Sequence, residues 1–249
     1  MQTKINFNRL IDHTNLNIDA TQSDIETLAR EAKEFNFNSI CIRPNWLKEF
    51  TPLYRCSAVT SFPKEVFQIS SVDEVKAIIG NYSLEEKANE FQQAMKDRAS
   101  ELDPVINISQ LDNVKDELSV YYDSVMTLGI AAYIKPIFSC EILSDDELEF
   151  SIAKFSEFVK ESQYEGIKYC YKNSTGFIKS ENPDLLKTSS VALVSKIKDH
   201  FDRYDPMETV SLKIAGGVRS LADIENYYKI CGERLSHIGT SSGVSIFTP

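Results

Sequence analysis

Apolar positions along this chain repeat at two different spacings. Short runs rich in β-branched and aromatic residues repeat every second position. Longer stretches between them repeat at three and four. The short runs predict strands over Leu10–His13, Ser39–Arg43, Ser57–Ser61, Leu102–Ile108, Ala131–Phe138, Gly166–Tyr171, Ser211–Ala215 and Ser236–Gly239. The helical period runs through Ile25, Leu28, Ala29, Ala32 and Phe35, and again through Leu148, Ile152, Phe155 and Val159. Ser83 with Glu86, and Ser144 with Glu147, have the spacing of capping boxes, in which each partner satisfies a free backbone N–H of the first turn. Ser220 with Asp223 opens another helix, Asn182 before Pro183 reads as a cap followed by proline in the first turn, and Gly232 sits where a helix would end.

Strand and helix in alternation favour a parallel sheet, because parallel neighbours need long crossovers. Eight units in 249 residues, about 31 each, predict a (β/α)8 TIM barrel formed by residues 1–249 as one domain. An open doubly wound sheet is the alternative, but the GxGxxG turn that often marks it is missing after the first strand. Residues 64–82 are the hardest to place and read as an extension of the third unit.

Charge narrows the partners. The net charge of −10 repels nucleic acid and anionic membranes, so neither is expected as a partner. An anionic small molecule would need a local site of backbone amides and lysines. No run approaches the roughly 18 apolar residues of a membrane helix, and no secretory leader is recognisable. Five widely spaced cysteines, odd in number and without a CxxC pair, fit a reduced, cytoplasmic protein.

Glycines gather in three late segments: Gly176 in KNSTGF, Gly216 and Gly217 in KIAGGVR, and Gly239 with Gly243 in IGTSSG. Each follows a predicted strand, so in a barrel each would lie at the C-terminal face, where loops build active sites. Consecutive backbone N–H groups there can form an anion nest, to which Ser241 and Ser242 add hydroxyls. The plainer alternative is that these glycines only permit tight turns.

Lys172 ends the sixth predicted strand, Lys213 lies in the seventh and Asp103 in the fourth. Alternation puts Lys168, Cys170 and Lys172 on one face, and Ser211, Lys213 and Ala215 on one face of the next strand. Strands about 4.8 Å apart could bring the amines of Lys172 and Lys213 together. A nearby cation and desolvation both favour a neutral amine, which can attack a carbonyl and form a Schiff base. Asp103 could then move protons, directly or through a water. A purely structural ion pair remains the competing reading. Lys168 and Lys135 are weaker candidates for the nucleophile. The former lies lower on its strand, and no glycine-rich loop follows the latter.

Zinc spacing, HExxH, GxSxG and Walker A patterns are missing, and no metal or cofactor is expected. Of the histidines, His13 is a candidate for the barrel mouth, His200 reads as solvated and His237 as structural. Cys41 alternates inward with Ser39 and Arg43, where a small buried thiol is the default.

The segments IDHTNL, SICIRP, SFP, ELDPVIN, KNSTGF, KIAGGVR and IGTSSG resemble the deoxyribose-phosphate aldolase family in kind and order, from Asp12 to Gly243. The resemblance implies a metal-free class I aldolase on a (β/α)8 barrel. Such an enzyme cleaves 2-deoxy-D-ribose 5-phosphate reversibly to D-glyceraldehyde 3-phosphate and acetaldehyde, in deoxyribose phosphate catabolism. It implies Lys172 as the Schiff-base lysine, Lys213 as the lysine that lowers its pKa, and Asp103 as the acid/base partner. Gly176, Gly216, Gly217, Gly239, Ser241 and Ser242 would hold the phosphate, with Asp12, Thr14, Cys41 and Thr175 near the hydroxyls and carbonyl end. A homodimer is expected from the resemblance alone.

The chain departs from the family pattern at several points. Asn173 stands where Thr is usual, Pro104 replaces an aliphatic residue, and Ser61 replaces Gly or Asn before Phe-Pro. Pro136-Ile137-Phe138-Ser139 replaces Val-Ile-x-Glu, and the chain ends at Thr248-Pro249 without a terminal tyrosine. Two rival functions stay open: a Schiff-base aldolase for another sugar phosphate, and a phosphate-ligand binding protein without catalysis.

Overall fold

The computed structural model describes residues 5–63, 71–176 and 190–248. Eight strands close a parallel barrel in sequence order: β1 (Ile11–Thr14), β2 (Ser39–Ile42), β3 (Cys56–Thr60), β4 (Glu101–Pro104), β5 (Ala132–Ile134), β6 (Ile167–Lys172), β7 (Ser211–Ala215) and β8 (Leu235–Thr240). Helices α1 (Gln22–Glu34) and α2 (Leu47–Phe50) follow the first two strands. The third crossover holds two, α3 (Val72–Ile78) and α4 (Leu84–Lys96), which accounts for the extra length around residues 64–82. Then come α5 (Val114–Leu128), α6 (Asp145–Glu161), α7 (Val191–Tyr204), α8 (Leu221–Cys231) and α9 (Gly243–Phe247).

The helix starts follow from local chemistry. Ser83, Ser144 and Ser220 each accept from the backbone three residues on, and the acidic side chains of Glu86, Glu147 and Asp223 return the bond. Thr21 and Asp24 make a fourth such box. Gly232 caps α8 with φ of 58°. The expected cap at Asn182 and Pro183 lies outside the described residues. Ile25, Leu28, Ala29 and Ala32 of α1 are buried, as are Leu148, Ile152, Phe155 and Val159 of α6.

β4 and β5 are shorter than their patterns suggest. The paired register between them is confined to Leu102 opposite Ile134, and beyond it only isolated bridges of Ile137 to Val105 and Lys172 continue the sheet. Pro104 has no N–H to give to β5. Its carbonyl still accepts from Ile137 (2.8 Å) and Val105 N–H still reaches Thr60 (3.0 Å), so the barrel stays closed around the proline.

Outward side chains of the strands pack on the helices. Tyr171 stacks on Phe138 and meets Phe155 of α6 and Phe201 of α7. The inward set is different. Barrels are usually filled by Val, Ile and Leu, whereas this interior holds Asp12, Ser39, Ser57, Glu101, Asp103, Lys135, Lys172, Lys213 and His237, all buried. A charged interior is costly unless every charge is paired, so these residues fix one another's positions.

Candidate active site

β4, β6 and β7 deliver the three principal candidates to one point. Lys172 Nζ lies 2.8 Å from Asp103 Oδ2, and Lys213 Nζ lies 2.8 Å from the same oxygen. The two amines are therefore separated by no more than twice that distance. Lys172 is directly opposite Lys213 in the β6–β7 register. Asp103 is completed by Ser57 Oγ (2.9 Å) and by Lys135 Nζ (3.2 Å) on its other oxygen.

Asp12 belongs to the same network. Its Oδ2 meets Lys213 at 2.5 Å and Lys135 at 3.0 Å, while Oδ1 accepts from Ser39 and Asn38. Lys135 also bonds Glu101, which pairs further with Arg55 and lies 3.4 Å from His237. Asp12, Glu101 and His237 are grouped closely enough for a metal, but Lys135 already supplies a cation between the two carboxylates.

The lysines differ in basicity despite their proximity. Burial lowers the pKa of Lys172; Asp103 opposes this, and the ammonium of Lys213 adds to it, leaving a net fall. Lys213 and Lys135 are buried too, but two or three carboxylates face each of them and raise both. Burial pushes Asp103 up, yet Lys135, Lys172 and Lys213 together hold it well below the usual range. Lys172 is thus the amine of the three that most readily gives up its proton, while its neighbours keep theirs.

The glycine segments lie beside this cluster. Gly176, Gly216 and Gly217 have φ of 68°, 84° and 77°. At Gly216 a Cβ would come within 3.0 Å of Ser174 Oγ and 3.5 Å of Gly176, so the loops after β6 and β7 are in contact and need glycine there. Gly239 has another role. A Cβ there would stand 3.0 Å from Ala215 Cβ and 3.3 Å from Lys213 Cε, so its bareness leaves the channel that Lys213 occupies. Thr175 is buried, Ser242 half-buried and Ser241 exposed at the end of β8. Thr14 donates to the Asp12 carbonyl (2.8 Å), and Cys41 is buried opposite Thr14 in the β1–β2 register.

Three secondary candidates are placed elsewhere. His13 does not face the mouth; it points outward, bonding Glu31 of α1 at 2.8 Å and packing on Phe37. The strand alternation decides this, because Asp12 takes the inward position. His200 is half-buried rather than solvated. Lys168 is exposed and lines a groove with Tyr133 and Ser211, at the start of its strand and away from Lys172.

A deoxyribose-phosphate aldolase of Lysinibacillus sphaericus is 31% identical over 253 residues, which cover 97% of this chain and 94% of that protein. The chain belongs to the deoxyribose-phosphate aldolase family. It is accordingly an aldolase, a carbon–carbon lyase. Deoxyribose-phosphate aldolase 1 of Bacillus licheniformis is similar to the same degree, 31% over 245 residues covering 96% of this chain and 93% of the relative. The solved deoxyribose phosphate aldolase of Aeropyrum pernix, described as a unique tetramer, shares the fold. Its TM-score is 0.73 at 23% identity, over 96% of this chain and 88% of that one. No protein-family model matches the chain.

The departures from the deoxyribose-phosphate aldolase pattern have visible consequences. Ser61 adopts φ of 55°, the region glycine and asparagine favour, and its N–H is held by Glu90 (2.6 Å). Asn173 is buried and its side-chain oxygen accepts the N–H of Ala215 (2.8 Å), tying the β6 loop to β7. Ser139 carries no carboxyl, but Glu141 two residues later is buried and bonds Ser174 of the KNSTGF loop. The sequence reading missed Glu141. An acidic residue between Cys140 and Ile142, in an otherwise apolar run, was the available signal. Among the described residues no helix is long and apolar enough to cross a membrane.

Proposed function

We propose that the chain cleaves 2-deoxy-D-ribose 5-phosphate reversibly to D-glyceraldehyde 3-phosphate and acetaldehyde through an imine on Lys172. The observation that carries this reading is the shared Asp103 oxygen. It holds Lys172 beside a permanently charged Lys213 in a closed interior, where burial already favours the neutral amine. Neutral Lys172 adds to the C1 aldehyde, and loss of water leaves a protonated imine. The C3 hydroxyl gives up its proton, the C2–C3 bond breaks, and its electron pair moves into the iminium to form an enamine. Protonation at C2 and hydrolysis then release acetaldehyde and restore the amine.

Asp103 acts as the acid/base partner through a water. Held ionised by three lysines, it can order and polarise that water. Asp12, Thr14, Cys41 and Thr175 border the hydroxyl and carbonyl end. The N–H groups of Gly216, Gly217 and Gly239, with Ser241 and Ser242, take the phosphate beside the Gly176 turn, whose own N–H is held by Ser174, and the remote binding energy fixes the pose. The names of the bacterial relatives support the substrate, and the residues present supply each role. Five unpaired cysteines, all buried, support a place in the cytoplasm.

The test is borohydride reduction of the protein with 2-deoxyribose 5-phosphate, followed by peptide mass mapping. A two-carbon or sugar-phosphate adduct is expected on Lys172 and should vanish in Lys172→Ala. Labelling of that variant at the wild-type stoichiometry would contradict the assignment. In the synthetic direction, preference for dihydroxyacetone phosphate over acetaldehyde as donor would point to a different sugar-phosphate aldolase. Sugar-phosphate binding with no turnover would point to a binding protein.

A further inference from the structure

Glu141 lies in the segment between β5 and α6, outside the lysine–carboxylate network. Two backbone bonds pin that segment to the end of β6: Phe138 N–H to the Lys172 carbonyl (3.0 Å) and Cys140 N–H to the Asn173 carbonyl (2.6 Å). Ser139, in the left-handed region at φ of 46°, makes the turn that follows. Glu141 is then 4% exposed. Its Oε1 accepts from Ser174 Oγ at 2.7 Å, while its Oε2 is buried with no hydrogen-bond partner among the described residues.

Ser174 is the link to the glycine loops. A hydroxyl has one proton to donate, and here Glu141 takes it. The oxygen of Ser174 is thereby free to accept the N–H of Gly176 (2.9 Å). The same oxygen stands 3.0 Å from where a Cβ on Gly216 would be, so it sits at the contact between the loops after β6 and β7. A buried carboxyl with an empty acceptor, aimed at a hydroxyl that bonds Gly176 and borders Gly216, does not serve core packing. An apolar side chain would fill that space without leaving a polar atom unsatisfied.

We propose that Glu141 is a positioning residue for the substrate phosphate: through Ser174 it sets the Gly176 turn against Gly216, and its own charge state modulates how well those loops accept an anion. The inference rests on the reading of these loops as the phosphate site.

Burial raises Glu141 to about 7, against the opposing pull of the Ser174 hydrogen bond, of its own backbone N–H and of Lys172. The groups that face it are Lys172, Tyr171 and Ser174 from β6 and its loop, and Cys140 from its own segment. Above neutral pH Glu141 becomes an anion next to a site for a dianion, and phosphate binding weakens. Below it the neutral carboxyl still accepts from Ser174, and the repulsion is gone.

Glu141→Gln keeps an acceptor for Ser174 but has no charge to gain. Wild-type KM for 2-deoxyribose 5-phosphate, and the inhibition constant of inorganic phosphate, should both rise with pH through neutrality. In E141Q both should stay low, leaving KM roughly fivefold below wild type at pH 8.5. The second ionisation of the sugar phosphate, near pH 6, and the higher one of inorganic phosphate affect both enzymes alike. Ser174→Ala should raise KM roughly tenfold at every pH while kcat falls less than about twofold. Unphosphorylated 2-deoxyribose, which does not use the loops, should show neither pattern.

An E141Q enzyme whose KM follows the wild-type pH curve would overturn the proposal, as would equal losses on phosphorylated and unphosphorylated sugar. Imine trapping on wild type separates the two levels of the argument. If wild type is trapped and E141Q matches it in all respects, this inference alone fails. If wild type is never trapped by deoxyribose 5-phosphate, the functional reading fails with it.

Discussion

Replacing Lys213 with methionine removes one charge from the interior and little volume, which makes it a sharp probe of why Lys172 loses its proton. Both amines bond the same oxygen of Asp103 at 2.8 Å, so a separation of about 5.6 Å between them is the most the geometry allows. At an effective dielectric of about 20, two like charges at that distance repel by about 3 kcal/mol, equivalent to about two pH units on the Lys172 amine. Without Lys213, Asp103 and Asp12 also lose a cation, which strengthens their hold on the Lys172 ammonium and works in the same direction.

The Lys172 titration should therefore move up by about two pH units in Lys213→Met, and the neutral fraction near pH 7 should fall about a hundredfold. Single-turnover imine formation, followed by rapid quench into borohydride from pH 5.5 to 10, reads this directly. The rise of rate with pH should shift alkaline in K213M while its plateau persists. Circular dichroism and a melting curve check that the barrel stays closed. A folded K213M enzyme whose rate profile rises at the wild-type pH would refute the reasoning and leave burial as the whole cause of the lowered pKa.

Gly239→Ala should push the new methyl into Ala215 and the Lys213 stem, costing about 1–3 kcal/mol of stability with a drop in kcat larger than any rise in KM. Chemical denaturation and steady-state kinetics on the same preparation test this, and an unchanged kcat would show that Lys213 is not displaced. His237 supplies a pH signature of a different kind. Burial opposes its protonation, but Asp12 and Glu101 outweigh it and raise its pKa to about 9 from 6.5. The resulting stability is full below about pH 6.5 and is lost as pH rises through about 9, an amplitude of about 3 kcal/mol. Urea midpoints across this window should decline in wild type and much less in His237→Gln; parallel curves would rule the histidine out as the cause.

The order of elements and the closing of the barrel were legible along the chain. The order depends on interactions between residues near in sequence: period-two and period-three-to-four apolar spacing, and serine–carboxylate capping boxes at Ser83, Ser144 and Ser220. Closure is the long-range pairing of β1 with β8, which the chain signalled only through its count of eight units. The faces that Lys172 and Lys213 share with Cys170 and with Ala215 were legible for the same reason, since alternation is a property of one strand, whereas the inward position of Asp103 emerged from the structure. Strand ends were less so. β4 and β5 stop early because a ladder needs a partner's N–H and Pro104 has none to offer, a fact about a pair of strands.

Only the tertiary structure decided which charges neutralise one another. Lys135, a minor candidate in the sequence, is the hub that joins Asp12, Glu101 and Asp103, contributed by β1 and β4. His13 and Asp12 are neighbours in the chain yet face opposite sides of the sheet, one toward α1 and the other into the interior. Glu141 meets Ser174 across 33 positions, a contact no local spacing encodes. Secondary structure depends on short-range sterics and hydrogen bonding, so the sequence displays it. A pKa depends on which charges and how much water surround a group in three dimensions, so the difference between Lys172 and Lys213 exists only once the barrel is closed.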